Sequence, residues 1–312
     1  MSSVLGLGVA GLAASAPVSA TPTDEAPEVP PGVEAQIVPQ AEQADAAEYW
    51  TEERMAAAQP IQPEIHQDIA PETLDQFLDD LNMNQGDPRT VAPDNIGPQD
   101  PAQTPHVGKV FFSTPEGDFV CSGNIVASAN QSTVSTAGHC LHDGAGGQFA
   151  DNFAFAPAYD YGESEFGVWS AVEMAAPDDW VNDSSFDDDV AFAQVETRDG
   201  VTIEEAVGAA SAIAFNQPRN QPYTAYGYPA TLPFNGEELH LCEGTATDDP
   251  MGGSTQGIPC DMTGGSSGGP WFLSGGAQNS VNSYMYTFLP GVMFGPYFGD
   301  NAEEVYDYVS TR

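Results

Sequence analysis

Thr263-Gly264-Gly265-Ser266-Ser267-Gly268-Gly269-Pro270 is the stretch that decides how this chain folds and what it does. Glycines on both sides of a serine pair let the backbone reverse tightly. Such a turn exposes a hydroxyl and aims amide protons at one point. Of the two serines, only Ser267 is followed by Gly-Gly-Pro. A serine hydroxyl is a weak nucleophile at neutral pH and needs a base within hydrogen-bond reach. Two upstream blocks offer the partners. Ser135-Thr136-Ala137-Gly138-His139-Cys140 ends a short β run in small residues and then presents a histidine beside a cysteine. Asp187-Asp188-Asp189-Val190-Ala191-Phe192 leads an acidic residue straight into an apolar run.

Around these blocks the texture is all-β. Val107 to Ser113, Phe119 to Val126, Thr133 to Thr136, Val190 to Val195 and Met285 to Phe288 are short runs separated by Gly, Asn, Asp and Pro clusters. No repeated βα alternation interrupts them. Only Asn301 to Ser310 reads as strongly helical, with Asn301 as cap, Glu303 and Glu304 complementing the dipole, and Val305, Tyr308 and Val309 on one stripe.

The order His, Asp, Ser and the string G-x-S-G-G-P resemble the chymotrypsin-trypsin superfamily. The T-A-G-H-C and C-D-M-T-G-G-S-S-G-G-P-W blocks are similar to its bacterial secreted branch, which includes glutamyl endopeptidases. The similarity runs from about His106 to Arg312. It implies two packed antiparallel Greek-key β-barrels, about 105–205 and 206–312, with the active site in the cleft between them and a short C-terminal helix. It also implies a serine endopeptidase in which Ser267 attacks, His139 is the base, Asp189 orients His139, and the amides of Gly265 and Ser267 form the oxyanion hole. His142 falls beyond the cysteine, where the resemblance places a loop, and Asp187 and Asp188 lack the directly following strand. An α/β-hydrolase esterase is excluded by order, since that fold places its serine first and its histidine last.

Primary specificity is less determined. Counting back six residues from Ser267 without gaps reaches Asp261, where trypsin-like enzymes carry a carboxylate at the pocket floor. Ser283 and Tyr284 resemble one pocket wall. This implies cleavage after Arg or Lys. Glu-specific cleavage is the alternative, although glutamate readers have a histidine where this chain has Asn282. An inactive homologue used for binding is a further alternative, and no triad residue is lost. Ser266 stands where animal trypsins have an aspartate that pairs with the freed N-terminal amine, so activation by that insertion is not expected.

The N-terminal third has another character. Val4 to Ala14 is apolar but too short to span a bilayer, and Ala16-Pro17-Val18-Ser19-Ala20 has the small residues of a cleavage site. Residues 1–20 are read as a secretory signal, although Met1-Ser2-Ser3 carries no cation, and the protein as extracellular. Residues 21–104 read as a propeptide or disordered linker, with a retained spacer or binding module as the alternative. Thr21 to Pro39 alternates proline and acid, and Trp50 and Phe77 are too few to build a core. Pro71 opens an amphipathic helix carrying Leu74, Phe77, Leu78 and Leu81.

The chain of 312 residues carries 46 acidic and six basic side chains, a formal net charge of −40. That surface repels nucleic acid and anionic membranes. It suits a saline habitat, where screening removes self-repulsion, or reflects lineage bias or solubility alone. The four cysteines in an exported chain point to disulfides Cys121–Cys140 and Cys242–Cys260, and the zinc alternative lacks C-x-x-C spacing. No cofactor or metal is expected, the partners are polypeptide substrates, and the enzyme is expected to be a monomer.

Overall fold

In the computed structural model, which describes residues 28–61, 63–66, 69–85, 97–99 and 103–312, the segment ahead of the β-rich chain is folded onto it. The signal reading of residues 1–20 lies outside the described residues. The structure differs from the linker reading where residues 21–39 are described: β1 (Val33–Ile37) adds antiparallel to an edge of the first barrel. The physical reason is that Val33 finds its core in the barrel and not in its own segment. Helices α1 (Gln40–Tyr49) and α2 (Glu52–Ala57) follow, the second capped by the Thr51 hydroxyl. Trp50 and Met55 are buried against Phe111, Val120 and Tyr228. Two short strands, β2 (Gln59–Pro60) and β3 (Glu64–Ile65), lead to α3 (Pro71–Gln85), which begins at the proline that the periodicity indicates. Phe77 and Leu81 on α3 are buried against Tyr284, Tyr286, Val292 and Phe294. A last short strand, β4 (Gly97–Gln99), completes the segment.

The first barrel is β5 (Val107–Thr114), β6 (Gly117–Val126), β7 (Thr133–Thr136), β8 (Asp151–Pro157), β9 (Trp169–Pro177) and β10 (Ala191–Val195). The hydrogen-bonded order β9-β10-β7-β6-β5-β8 closes through β8 and β9, and the stretches of β9 and β6 that this closure leaves open pair with β1 and β2. Val110, Ile125, Val134, Phe155, Met174 and Phe192 fill it.

The second half wraps two sheets around one core. One is β16-β15-β11-β12-β4, using β11 (Pro222–Gly227), β12 (Leu239–Thr245), β15 (Pro270–Leu273) and β16 (Gln278–Val281). The other is β13 (Thr247–Asp248), β14 (Gln256–Pro259) and β18 (Val292–Gly295). Tyr223, Ile258, Trp271 and Met293 lie between them. A short strand, β17 (Met285–Tyr286), runs along the cleft.

Both disulfides form as the spacing suggests, Cys121–Cys140 joining β6 to the histidine turn and Cys242–Cys260 joining β12 to the end of β14. The thiolates that a zinc site would need are spent in these bonds. Between β9 and β10 lies the short helix α4 (Asp178–Asp183), and α5 (Ile203–Val207) follows the barrel. The C-terminal helix α6 (Asp300–Ser310) returns to the first barrel with Val305, Tyr308 and Val309 buried. Its cap differs from the sequence expectation. Gly299 is the N-cap, while the Asn301 amide donates to Asp179 and Asp188 at 3.1 and 2.8 Å. Among the described residues no helix is long and apolar enough to cross a membrane.

Candidate active site

His139 sits on a single 3₁₀ turn, Gly138–Cys140, directly after β7. The turn is held from below by the Cys121 disulfide and from the side by Trp180, whose ring meets the imidazole edge-on at 6.3 Å. Asp189 is wholly buried between a second 3₁₀ turn and β10. One carboxylate oxygen accepts from the His139 backbone N–H at 2.8 Å, and the other lies 2.8 Å from His139 Nδ1. The Ser283 hydroxyl donates to that second oxygen as well. A buried carboxylate with three donors is the paired arrangement that burial of a charge requires. Gly138 must lack a side chain here, since a Cβ would stand 2.9 Å from both Asp189 Oδ1 and the Trp180 ring.

The structure separates the three consecutive aspartates. Asp187 accepts from the backbone N–H groups of Ser254 and Thr255, and Asp188 from Ser185 and Asn301, so only Asp189 meets the imidazole. His142 is turned elsewhere, its Nδ1 accepting from the Gly144 N–H at 3.0 Å. The adjacent serines are separated too. Ser266 donates its hydroxyl to the Thr263 carbonyl at 2.8 Å inside the turn. Ser267 donates outward, to the Ile61 carbonyl oxygen at 3.3 Å. The Gly265 N–H donates to that same oxygen at 3.2 Å, the convergence of hydroxyl and amide that the glycines favour. Gly265 has φ +97°, and a Cβ would meet the Tyr228 carbonyl oxygen at 2.7 Å. Among the described residues, buried His139 Nε2 has no hydrogen-bond partner.

The pocket residues lie less as expected. Asp261 is exposed, in contrast to the buried floor carboxylate that gapless counting implies. Partial burial still raises its pKa, opposed by the nearby His240. Ser283 is buried and turned toward Asp189, so its hydroxyl supports the acid and does not line a wall. The Tyr284 hydroxyl donates to Asp249, and its ring stacks on Phe294 at 5.3 Å. Beside the serine turn lies a cavity of about 320 Å³, lined by Thr231, Thr263, Met285, Tyr286, Thr287, Pro290 and Glu64.

Sequence reasoning missed three contributors. Asn282 spends its amide on Tyr226 and Ser266 carbonyls and accepts from Trp271, so it braces the turn. Ser122 donates to the Gly265 carbonyl at 2.9 Å and accepts from the Tyr228 N–H, joining the two barrels beneath the turn. Ile61 contributes only a carbonyl, which no side-chain pattern announces.

Neither a family profile nor a curated protein matches the chain. Solved structures do. The thermostable serine protease AL20 from an extremophilic microorganism is 71% identical, over 67% of this chain and 99% of that one, with a TM-score of 0.66. The protease Anisep from Arthrobacter nicotinovorans is 46% identical, over 70% and 100% of the two chains, with a TM-score of 0.67. A Glu endopeptidase shares the fold at 16% identity, over 72% and 100%, with a TM-score of 0.58.

Proposed function

Because this chain belongs to the chymotrypsin-like bacterial serine peptidases and is a serine endopeptidase, we propose that it is exported, loses residues 21–104 on maturation and cuts after basic residues. In this reading Ser267 attacks the scissile carbonyl while His139 takes the hydroxyl proton and returns it to the leaving amine. Asp189 fixes the imidazole tautomer through Nδ1 and stabilises the imidazolium. The amides of Gly265 and Ser267 hold the developing oxyanion, each donor worth roughly 3 kcal/mol in enzymes of known mechanism.

One observation carries the assignment: buried Asp189 grips His139 by ring and backbone at 2.8 Å each, on a turn whose preceding residues Thr136 and Ala137 pack against Gly268 of the serine turn. That double grip fixes the base in one orientation, which is what a proton shuttle needs. The assignment is tested by a fluorophosphonate probe followed by peptide mapping. The label is expected on Ser267 alone, and a label on Ser266 or none at all overturns it.

Cleavage after Arg or Lys is supported by charge. No lysine, arginine or histidine is among the residues lining the 320 Å³ cavity, so a substrate carboxylate there finds no cation. Asp261, two residues from Thr263, and the net charge of −40 both attract a cationic side chain. Paired chromogenic substrates ending in Arg and Glu decide between the two readings. Export is supported by the Met1–Ala20 pattern. Loss of the N-terminal third is supported by the solved relatives, whose chains match only about two thirds of this one. N-terminal sequencing of the protein recovered from culture medium tests both.

A further inference from the structure

Residues 58–61 and 63–66 lie across the cleft and bond to both halves of the molecule. On the first barrel, β2 pairs parallel with β6, Gln59 opposite Phe119 and Pro60 opposite Val120. The Ile61 N–H reaches the Val120 carbonyl at 3.5 Å. On the other wall, β3 pairs parallel with β17, Glu64 opposite Met285 and Ile65 opposite Tyr286. The Met285 N–H donates to Pro63, and Thr287 donates to Ile65 at 3.3 Å. Between these contacts the Ile61 carbonyl oxygen receives the Gly265 N–H and the Ser267 hydroxyl. Helices α2 and α3 pin the two ends, through buried Met55 and through Phe77 and Leu81.

We propose that the chain at residues 58–61 and 63–66 is a tethered inhibitor, seating the Ile61 carbonyl on the groups that would receive a substrate's reacting carbonyl while holding Ser267 in an unreactive pose. This rests on Ser267 being the nucleophile. Attack requires the hydroxyl oxygen to face a carbonyl carbon and its proton to face His139 Nε2. Here the hydroxyl proton points at the carbonyl oxygen, and Nε2 has no partner among the described residues. Ser267 is only 2% exposed, so a substrate cannot reach it while the segment stays. Recognition is largely by main chain, which explains why the segment needs no conspicuous side chains.

The test reads label and chain length on the same molecule. The full chain is exposed to a fluorophosphonate, sampled over time and analysed by intact mass spectrometry. Molecules that keep residues 28–85 are expected to label at least tenfold more slowly than molecules that have lost them. Phe77→Asp, which unseats α3 from Tyr286 and Phe294, should raise the rate on uncleaved chains by a similar factor. A synthetic peptide of residues 57–66 added to the processed enzyme should slow labelling again and be recovered uncut, and this arm does not depend on the variant folding. Equal rates on long and short chains, or cleavage of the peptide after Ile61, overturn the proposal. Absence of label on every species instead removes the nucleophile assignment, so the two failures are distinguishable.

Discussion

Two segments meet at the Ser267 hydroxyl, and they are specified in opposite ways. The turn 263–270 is written into its own residues. Gly265 at φ +97° and Gly268 at φ +79° permit its path, and Thr263, Ser266 and Asn282 brace it. The segment described at 58–61 and 63–66 has no such signature and bonds by backbone to strands that come much later in the chain. The first keeps its shape through local chemistry, while the second depends on what it docks against. Substitutions should therefore act sharply in the turn and weakly in the segment, unless an anchor is removed.

The sharpest test of that contrast lies within the turn. Ser267→Ala should lower kcat by about 10⁶, the loss seen when a triad serine is removed elsewhere. Ser266→Ala, which removes only a bond to the Thr263 carbonyl, should keep most activity. Steady-state kinetics on one substrate decide, and comparable losses for the two variants would mean that the turn does not sort its serines.

Gly265→Ala comes next. A Cβ 2.7 Å from the Tyr228 carbonyl oxygen must shift the turn, and positive φ adds strain of about 1–3 kcal/mol. Displacing this donor should lower kcat about 10²–10³-fold. Gln59→Ala, at an exposed position in the docked segment, should change stability by less than about 0.5 kcal/mol. If thermal melts of the full chain show Gln59→Ala the more damaging, the contrast between the two segments fails.

How much could be read in advance follows the same division. That Asp189 and not its neighbours meets His139, and that Ser267 and not Ser266 donates out of its turn, was legible because each lies in a block whose small residues force a particular local path. The β texture was legible because apolar runs and turn residues alternate. The packing of the N-terminal segment was not legible because Trp50, Met55, Phe77 and Leu81 complete cores that other strands begin. Composition counts what a segment can bury alone and is blind to a borrowed core. Asn301 failed as a cap because Asp179 and Asp188 offer its amide better acceptors from across the fold. Gapless counting to Asp261 fixed a sequence distance but could not fix which way the side chain faces.

A pH test probes how the first barrel supports the turn. Lys109 on β5, the only lysine, is 2% exposed and donates to the Gly236 carbonyl at 2.8 Å. The loop it holds ends against the turn, where the Ala230 N–H donates to the Gly264 carbonyl. Burial pushes the Lys109 pKa from 10.5 down to about 8, with Glu237 opposing. Between those values the folded protein sheds the proton first, so the unfolded chain binds more protons and stability rises with pH. Below about 8 the lysine is charged in both states and the contribution is flat. From pH 7.5 to 9.5 the wild type should gain on the order of 2 kcal/mol relative to Lys109→Met in urea melts. The buried tyrosines act with opposite sign, but only near and above pH 10, where unfolded tyrosines ionise. Parallel curves for the two proteins would mean that Lys109 keeps an ordinary pKa.

Only a modest effect on specificity is expected at Asp261, where exposure decides the magnitude. A carboxylate buried at a pocket floor would be costly without a cation and would discriminate strongly for Arg or Lys. Asp261 is instead exposed, and His240 is a partner of opposite sign when protonated. An exposed pair contributes up to about 1 kcal/mol, roughly a fivefold preference, and salt screens it further. Asp261→Ser should therefore lower kcat/KM on an Arg substrate by about fivefold or less, with the loss shrinking in molar sodium chloride. Cleavage of a Glu substrate should rise slightly, because a repelling charge is gone. A loss of 100-fold or more would mean that Asp261 turns inward when substrate binds. A wild type that prefers Glu would mean that the threonine hydroxyls lining the cavity, and not this carboxylate, choose the residue that is cut.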